Sequence, residues 1–305
     1  MRETGTAPAH ELALPSRTDL ALIAVALSAV STSGPLIAAT AAPAMAIAFW
    51  RNALAAGVMA PVLLIRRREE LRGLSRKEWR LILGAGLLLA LHFATWIPSI
   101  RFTSVASSTA LVATQPVWAA LLARSRGVVI GRLAWIGIVL AVVAVALLTG
   151  LDLRLSGRAV IGDVLAVVGG IFAAGYVTTG AMVRRTVGTT TYTTLCYATT
   201  AIVLVVVCAA GGQRLHGYSN DDWIRIAAIA VGAQLLGHSV FNLVLKSTSA
   251  TVVSLSILFE VPGATIIAAI FLHQRVRPEQ LPAAALLLAG LALVIRAGTR
   301  AVPAE

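Results

Sequence analysis

Charge is scarce in this chain. Its 305 residues include 25 Lys+Arg and 13 Asp+Glu, so charged residues make up 12%, about half of what a water-soluble domain carries. That is too little to cover a globule in water. Cysteine is nearly absent: Cys196 and Cys208 lie twelve residues apart on one apolar segment, about 18 Å along a helix. A disulfide needs Cα atoms within about 7 Å, so the two cannot bridge each other. Strict two-residue alternation is also missing from the apolar runs, which excludes a membrane β-barrel. No zinc-ligand spacing, phosphate-cradling loop or RNA-binding motif occurs. The net charge of +12 therefore does not point to nucleic acid, and no cofactor is expected. The first nineteen residues lack the basic-then-apolar order of a cleavable leader, so the first apolar run is expected to be retained.

Long apolar runs are abundant: hydrophobic residues make up 58% and the mean hydropathy is +0.87. Windows of about twenty residues predict ten membrane spans, at 20–40, 44–65, 81–100, 105–123, 133–150, 163–183, 192–210, 224–245, 251–272 and 280–295. Trp79, Trp135 and Trp223 fall at span edges, where indole rings favour the interface. With the N-terminus inside, inner segments hold seventeen basic residues and outer ones seven, most of the difference coming from Arg66-Arg67-Arg68 through Arg80. This bias predicts a multi-pass protein of the cell membrane with both tails, 1–19 and 297–305, in the cytoplasm.

The two halves match at an offset of 144 to 146 residues: Glu78-Trp79 with Asp222-Trp223, Gly86 with Gly232, His92 with His238, Pro116 with Pro262, and Ala144 with Gly290. Five helices per copy is an odd number. The second copy, 163–296, must then enter the membrane from the side opposite to the first, 20–150. The expected fold is all-α, ten helices as two inverted five-helix repeats, an arrangement that allows inward-open and outward-open states with the site near the midplane.

Several motifs carry a family likeness. They are Phe49-Trp50-Arg51-Asn52, the stretch Ala94 to Ser108, Thr114-Gln115-Pro116-Val117, Gly162-Asp163 and Phe259-Glu260-Val261-Pro262. With the five-plus-five layout, the chain from about residue 20 to 297 resembles the EamA-type branch of the drug/metabolite transporter superfamily. That resemblance implies a carrier of amino acids, other metabolites or drug-like compounds, and places an Arg at Arg51 whatever the solute. Two positions depart from the family's pattern. Gln115 stands where a Glu commonly precedes the Pro, and Glu260 sits one residue earlier than that place in the second half.

Arg51 and Glu260 are the two ionised side chains well inside predicted spans, where a charge costs at least about 2.5–3.5 kcal/mol unless it faces a partner or water. Glu260, near the midplane, is the candidate for proton coupling or solute contact; the alternative is a neutral carboxyl bonded between helices. Arg51 is expected to snorkel toward the outer interface in a structural role, or else to anchor an anionic solute. In the eighth span Gln234, His238 and Asn242 follow at i, i+4 and i+8, one helical face. His92 and Trp96 form a sparser face on the third. Gln115, Trp118 and Tyr176 complete the expected cavity lining, against the alternative of polar and aromatic contacts between helices. Pro116 and Pro262 are expected to kink their helices. Two histidines without clustered carboxylates or thiolates make no metal site.

The expected activity is secondary active transport, in the outward direction, of a small organic solute across the bilayer. A non-transporting scaffold or sensor is the competing reading. An intramembrane enzyme would need concentrated nucleophiles or ligands, which this dispersed polar set does not offer.

Overall fold

A computed structural model describes residues 16–127, 129–153, 156–244, 256–275 and 277–298, without the side chains of 150, 152, 153, 242 and 298. The Asn242 side chain, Lys246, the first residues of the predicted ninth span and most of both tails lie outside that set. The described residues are helical throughout their ordered elements, with no strand among them. Nine helices among them are long and apolar enough to cross a membrane, and a shorter apolar helix covers Glu260–Phe271. Large apolar side chains such as Ile65, Val139, Ile202 and Ile270 are exposed, the reverse of a water-soluble surface.

The first span consists of α1 (Arg17–Ser31) and α2 (Ser33–Ala39), meeting at Thr32. Next come α3 (Ala44–Arg66), the short α4 (Arg68–Arg72) and α5 (Arg76–Phe102). The fourth span is divided into α6 (Val105–Val112) and α7 (Gln115–Ser125). After it run α8 (Arg132–Leu153), α9 (Gly157–Val183) and α10 (Thr189–Ala210). The eighth is α11 (Asn220–Ala228), a π-helical segment (Ile229–His238) and α12 (Ser239–Val244). The chain closes with α13 (Glu260–Phe271) and α14 (Leu281–Gly298). One expectation is corrected here. Asp163 does not open the sixth span, because Ser156 caps α9 at Ala159 and leaves Asp163 buried inside the helix.

Capping residues also tie the halves together. Ser75 and Ser219 each cap the residue three on, Glu78 and Asp222, at an offset of 144. Each acid then reaches a connector in the other half: Glu78 accepts from Thr186 Oγ1 at 2.6 Å, and Asp222 accepts from the Ala41 N–H at 2.9 Å. Arg225 completes the second clasp, bonding Asp222 and the Ala39 carbonyl, each at 3.2 Å. Arg101, at the C-terminal end of α5, donates to the Thr40 and Ala42 carbonyls. The start of α11 and the end of α5 thus meet the same connector, while the start of α5 meets residue 186.

Helix pairings repeat between the halves. α5 packs on α9 as α1 packs on the π-helical segment; α10 packs on α5 as α3 packs on that segment. α3 pairs with α10, α8 with α14 and α6 with α13, each joining equivalent spans. Missing side chains permit the closest approaches. A Cβ on Gly137 would stand 2.5 Å from the Gly290 carbonyl oxygen, and one on Gly86 would stand 2.6 Å from Thr199 Cβ. Gly84, two residues before Gly86, has nothing within 4 Å of such a Cβ.

Positive φ falls at matching places after α7 and α13, on Gly127 at 92° and His273 at 53°, 146 residues apart. A left-handed backbone is free for glycine and costs other L-residues roughly 1 kcal/mol or more. His273→Gly is therefore expected to stabilise the protein by about 1 kcal/mol, read as a raised thermal midpoint in detergent. A lowered midpoint would show that the imidazole makes a compensating contact.

Candidate functional site

The site grows from Arg51, fully buried in the first half of α3. Its Nε donates to Gln234 Oε1 at 3.0 Å and its Nη1 to Ser33 Oγ at 3.4 Å, while the guanidinium lies over the Phe93 ring at 4.3 Å. The expectation that Arg51 snorkels to the interface is corrected: residues of three other helical segments enclose it, and two of its donors are used inside. Gln234 turns its Nε2 to Asn52 Oδ1 at 3.4 Å, and Asn52 Nδ2 donates to the Ala48 carbonyl at 2.8 Å. This network joins α2, α3 and the π-helical segment.

Regular helix geometry fails in four spans around this network. The first breaks at Thr32, beside Ser33. The fourth turns at Ala113–Thr114, just before Gln115-Pro116, and the predicted ninth at Leu258–Phe259, just before Glu260-Val261-Pro262. Pro116 and Pro262 were expected to kink continuous helices. Each lies instead in the first turn of a new helix, where its missing N–H has no intrahelical partner to lose. In the eighth span the backbone is π-helical over Ile229–His238, so residues five apart lie over one another rather than four. Ser239 Oγ, five residues on, bonds the Gln234 carbonyl at 3.4 Å.

Around that level the titratable groups converge. Glu260 begins α13, half-buried and within electrostatic reach of Arg51. His238 is within reach of both Arg51 and His92. His92 Nδ1 is 3.0 Å from the Gly169 carbonyl oxygen, an acceptor, so the proton is assigned to Nδ1 and Nε2 is left as the acceptor. The imidazole stacks on Trp96, centroids 5.6 Å apart and planes 12° apart. Trp96 Nε1 is buried with no hydrogen-bond partner among the described residues.

Small residues on α9 carry the aromatic wall. A Cβ on Gly169 would stand 3.1 Å from Trp96 Cβ, and one on Gly170 would stand 3.0 Å from Thr114 Oγ1. Thr114 Oγ1 in turn accepts from Trp118 Nε1 at 3.0 Å. Gln115, Trp118, His92, His238 and Glu260 are all half-buried, whereas Arg51, Gln234 and Trp96 are buried. Tyr176 stands two turns along α9 from Gly169, beside Tyr192 and Tyr197. No group of three or more His, Cys, Asp and Glu suited to a metal ion occurs among the described residues.

Sequence reasoning did not single out Ser33, Phe93 or Tyr197 as members of this site. Tyr197 had a usable signal, standing 145 residues after Asn52. It lies beside Gln234 and Ser239 and within electrostatic reach of Arg51. Phe93 and Ser33 had none, since only the crossing of α2, α3 and α5 brings them to the guanidinium.

Fold and site together define a polytopic helical membrane protein with a cluster of polar side chains among its helices. A family model described as the EamA-like transporter family matches residues 19–150 and 160–296. The chain belongs to that family, the EamA-type branch of the drug/metabolite transporters, which are carriers and not enzymes. A solved structure titled only as the crystal structure of a protein is similar over 94% of this chain and 100% of its own, with 15% identity and a TM-score of 0.62; at that identity the likeness is one of fold. No curated protein matches the chain.

Proposed function

We propose that the protein is a secondary active transporter that exports a small organic solute from the cell by alternating access, with Glu260 carrying the coupling proton. The observation carrying this reading is the loss of regular α-helix in four spans at the level of Arg51, His92, His238 and Glu260. Backbone irregularity at membrane depth is tolerated where it is buried in protein or lines a hydrated space, and broken helices are how carriers build solute sites.

Ten spans in two inverted repeats, 20–150 and 163–296, are part of the same proposal. It is supported by α11 starting where α5 finishes and by pairings that survive the exchange of equivalent helices. The tails, 1–19 and 297–305, are assigned to the cytoplasm of a cell whose plasma membrane holds the protein. His92, Trp96, Gln115, Trp118, Gln234, His238 and Asn242 are assigned to solute contact, with Tyr176 at the border of the site. Arg51 is assigned a structural part, a reading supported by its full burial and its contacts with Gln234, Ser33 and Phe93 on neighbouring helices.

The test is solute flux in proteoliposomes under an imposed pH gradient, with amino acids and cationic drug-like compounds as probes. At least one class is expected to accumulate against its own gradient. Membrane-impermeant thiol reagents on Gln115→Cys and Glu260→Cys provide a second readout against a low background, because Cys196 and Cys208 are buried. Cysteines unreactive from both sides would show a dry interior and remove the carrier reading.

A further inference from the structure

We propose that the segment 66–80 is a binding surface for anionic phospholipid headgroups on the membrane face where α3 ends. The segment holds seven basic residues and three acids. Its cations are all exposed, beginning with Arg66, Arg67, Arg68 and Arg72. Two of the acids also reach the second half of the chain. Glu70 accepts from the Gly188 N–H and from Thr191 Oγ1 at 2.7 Å, and Glu78 accepts from Thr186 Oγ1 at 2.6 Å. The tertiary structure thus engages two of the three carboxylates with the second half of the chain, while all seven cations stay exposed and outnumber the acids by four.

Depth selects the partner. Arg66 is the last residue of α3, and the two residues before it, Leu64 and Ile65, are 58% and 80% exposed. Apolar side chains so exposed at the end of a membrane span meet acyl chains, so the cations that follow lie at headgroup height. Basic clusters placed there are attracted to anionic lipid by about 1 kcal/mol per residue, a factor of about five. A soluble polyanion would have to compete for a surface already facing the leaflet. Since Glu70 and Glu78 hold the 186–191 connector from the same segment, lipid charge bears directly on a contact between the two halves. This inference does not depend on which solute is carried.

The experiment uses the full chain in neutral detergent with equal amounts of phosphatidylglycerol and phosphatidylcholine of the same acyl chains, and reads the bound-lipid ratio by native mass spectrometry. The wild-type protein is expected to retain phosphatidylglycerol preferentially. Arg67→Gln/Arg68→Gln/Arg72→Gln lowers that preference at least about tenfold. The corresponding triple Arg→Lys variant keeps it, as does Arg214→Gln/Arg275→Gln, which neutralises two exposed arginines elsewhere. Retained phosphatidylcholine serves as the check that each variant is folded. An equal ratio in the wild type, an unchanged ratio in the Gln variant, or loss of the preference on adding millimolar inorganic phosphate would overturn the proposal, the last by assigning the surface to free phosphate.

Discussion

Glu260→Gln is expected to lose all accumulation driven by a pH gradient while still exchanging solute down its own gradient. One proton carried per solute lets a gradient of one pH unit support about tenfold accumulation; in the variant the ratio falls to one. The reason is geometric. Glu260 begins α13 beside a turn, half-buried, with the buried Arg51 within electrostatic reach. A carboxyl so placed can exchange its proton for a solute contact, whereas an amide can hydrogen-bond but not titrate. Counterflow of labelled solute measures the exchange, and Glu260→Asp is expected to keep a reduced coupled flux. Wild-type accumulation ratios in the Gln variant would move coupling to another group.

Arg51→Ala is expected to destabilise the protein by about 2–4 kcal/mol, through lost hydrogen bonds to a charged donor and lost packing of a buried side chain. Gln234 Oε1 and Ser33 Oγ would lose their donor, Phe93 its cation, and Glu260 its nearest identified counter-charge. Arg51→Lys is expected to recover little. An ammonium on a flexible stem cannot lie flat over Phe93 while bonding in two directions from one plane. Thermal unfolding in detergent checks both variants. A Lys variant as stable as wild type would mean that charge alone, and not the guanidinium fork, holds α2, α3 and the π-helical segment together.

Most spans were legible because a bilayer imposes one strong rule on sequence, about twenty apolar residues per crossing. The repeat was legible too: Glu78 and Asp222 were paired by offset, and both stand as helix-capping acids that reach into the opposite half. What hydropathy could not supply was the condition of the backbone inside a span. Thr32, Ala113–Thr114 and Leu258–Phe259 are as apolar in context as their neighbours, yet the helix stops there. A proline follows each of the three places, Pro35, Pro116 and Pro262, but a proline suggests only a kink, because whether the freed groups find partners depends on other helices. The π-helical stretch hid for a similar reason, since Ile229–His238 reads as an ordinary apolar helix.

From sequence alone came the membrane class, the duplication and the short set of polar residues at depth, because each follows from composition and spacing along the chain. The tertiary structure decided what those residues do. It enclosed Arg51 among Gln234, Ser33 and Phe93, left Glu260 and both histidines half-buried, and tied Glu70 and Glu78 to residues of the second half. Such outcomes depend on which helices cross at a given depth. Crossing is set by glycine contacts such as Gly137 on Gly290 and Gly169 on Trp96, which join residues far apart in the chain.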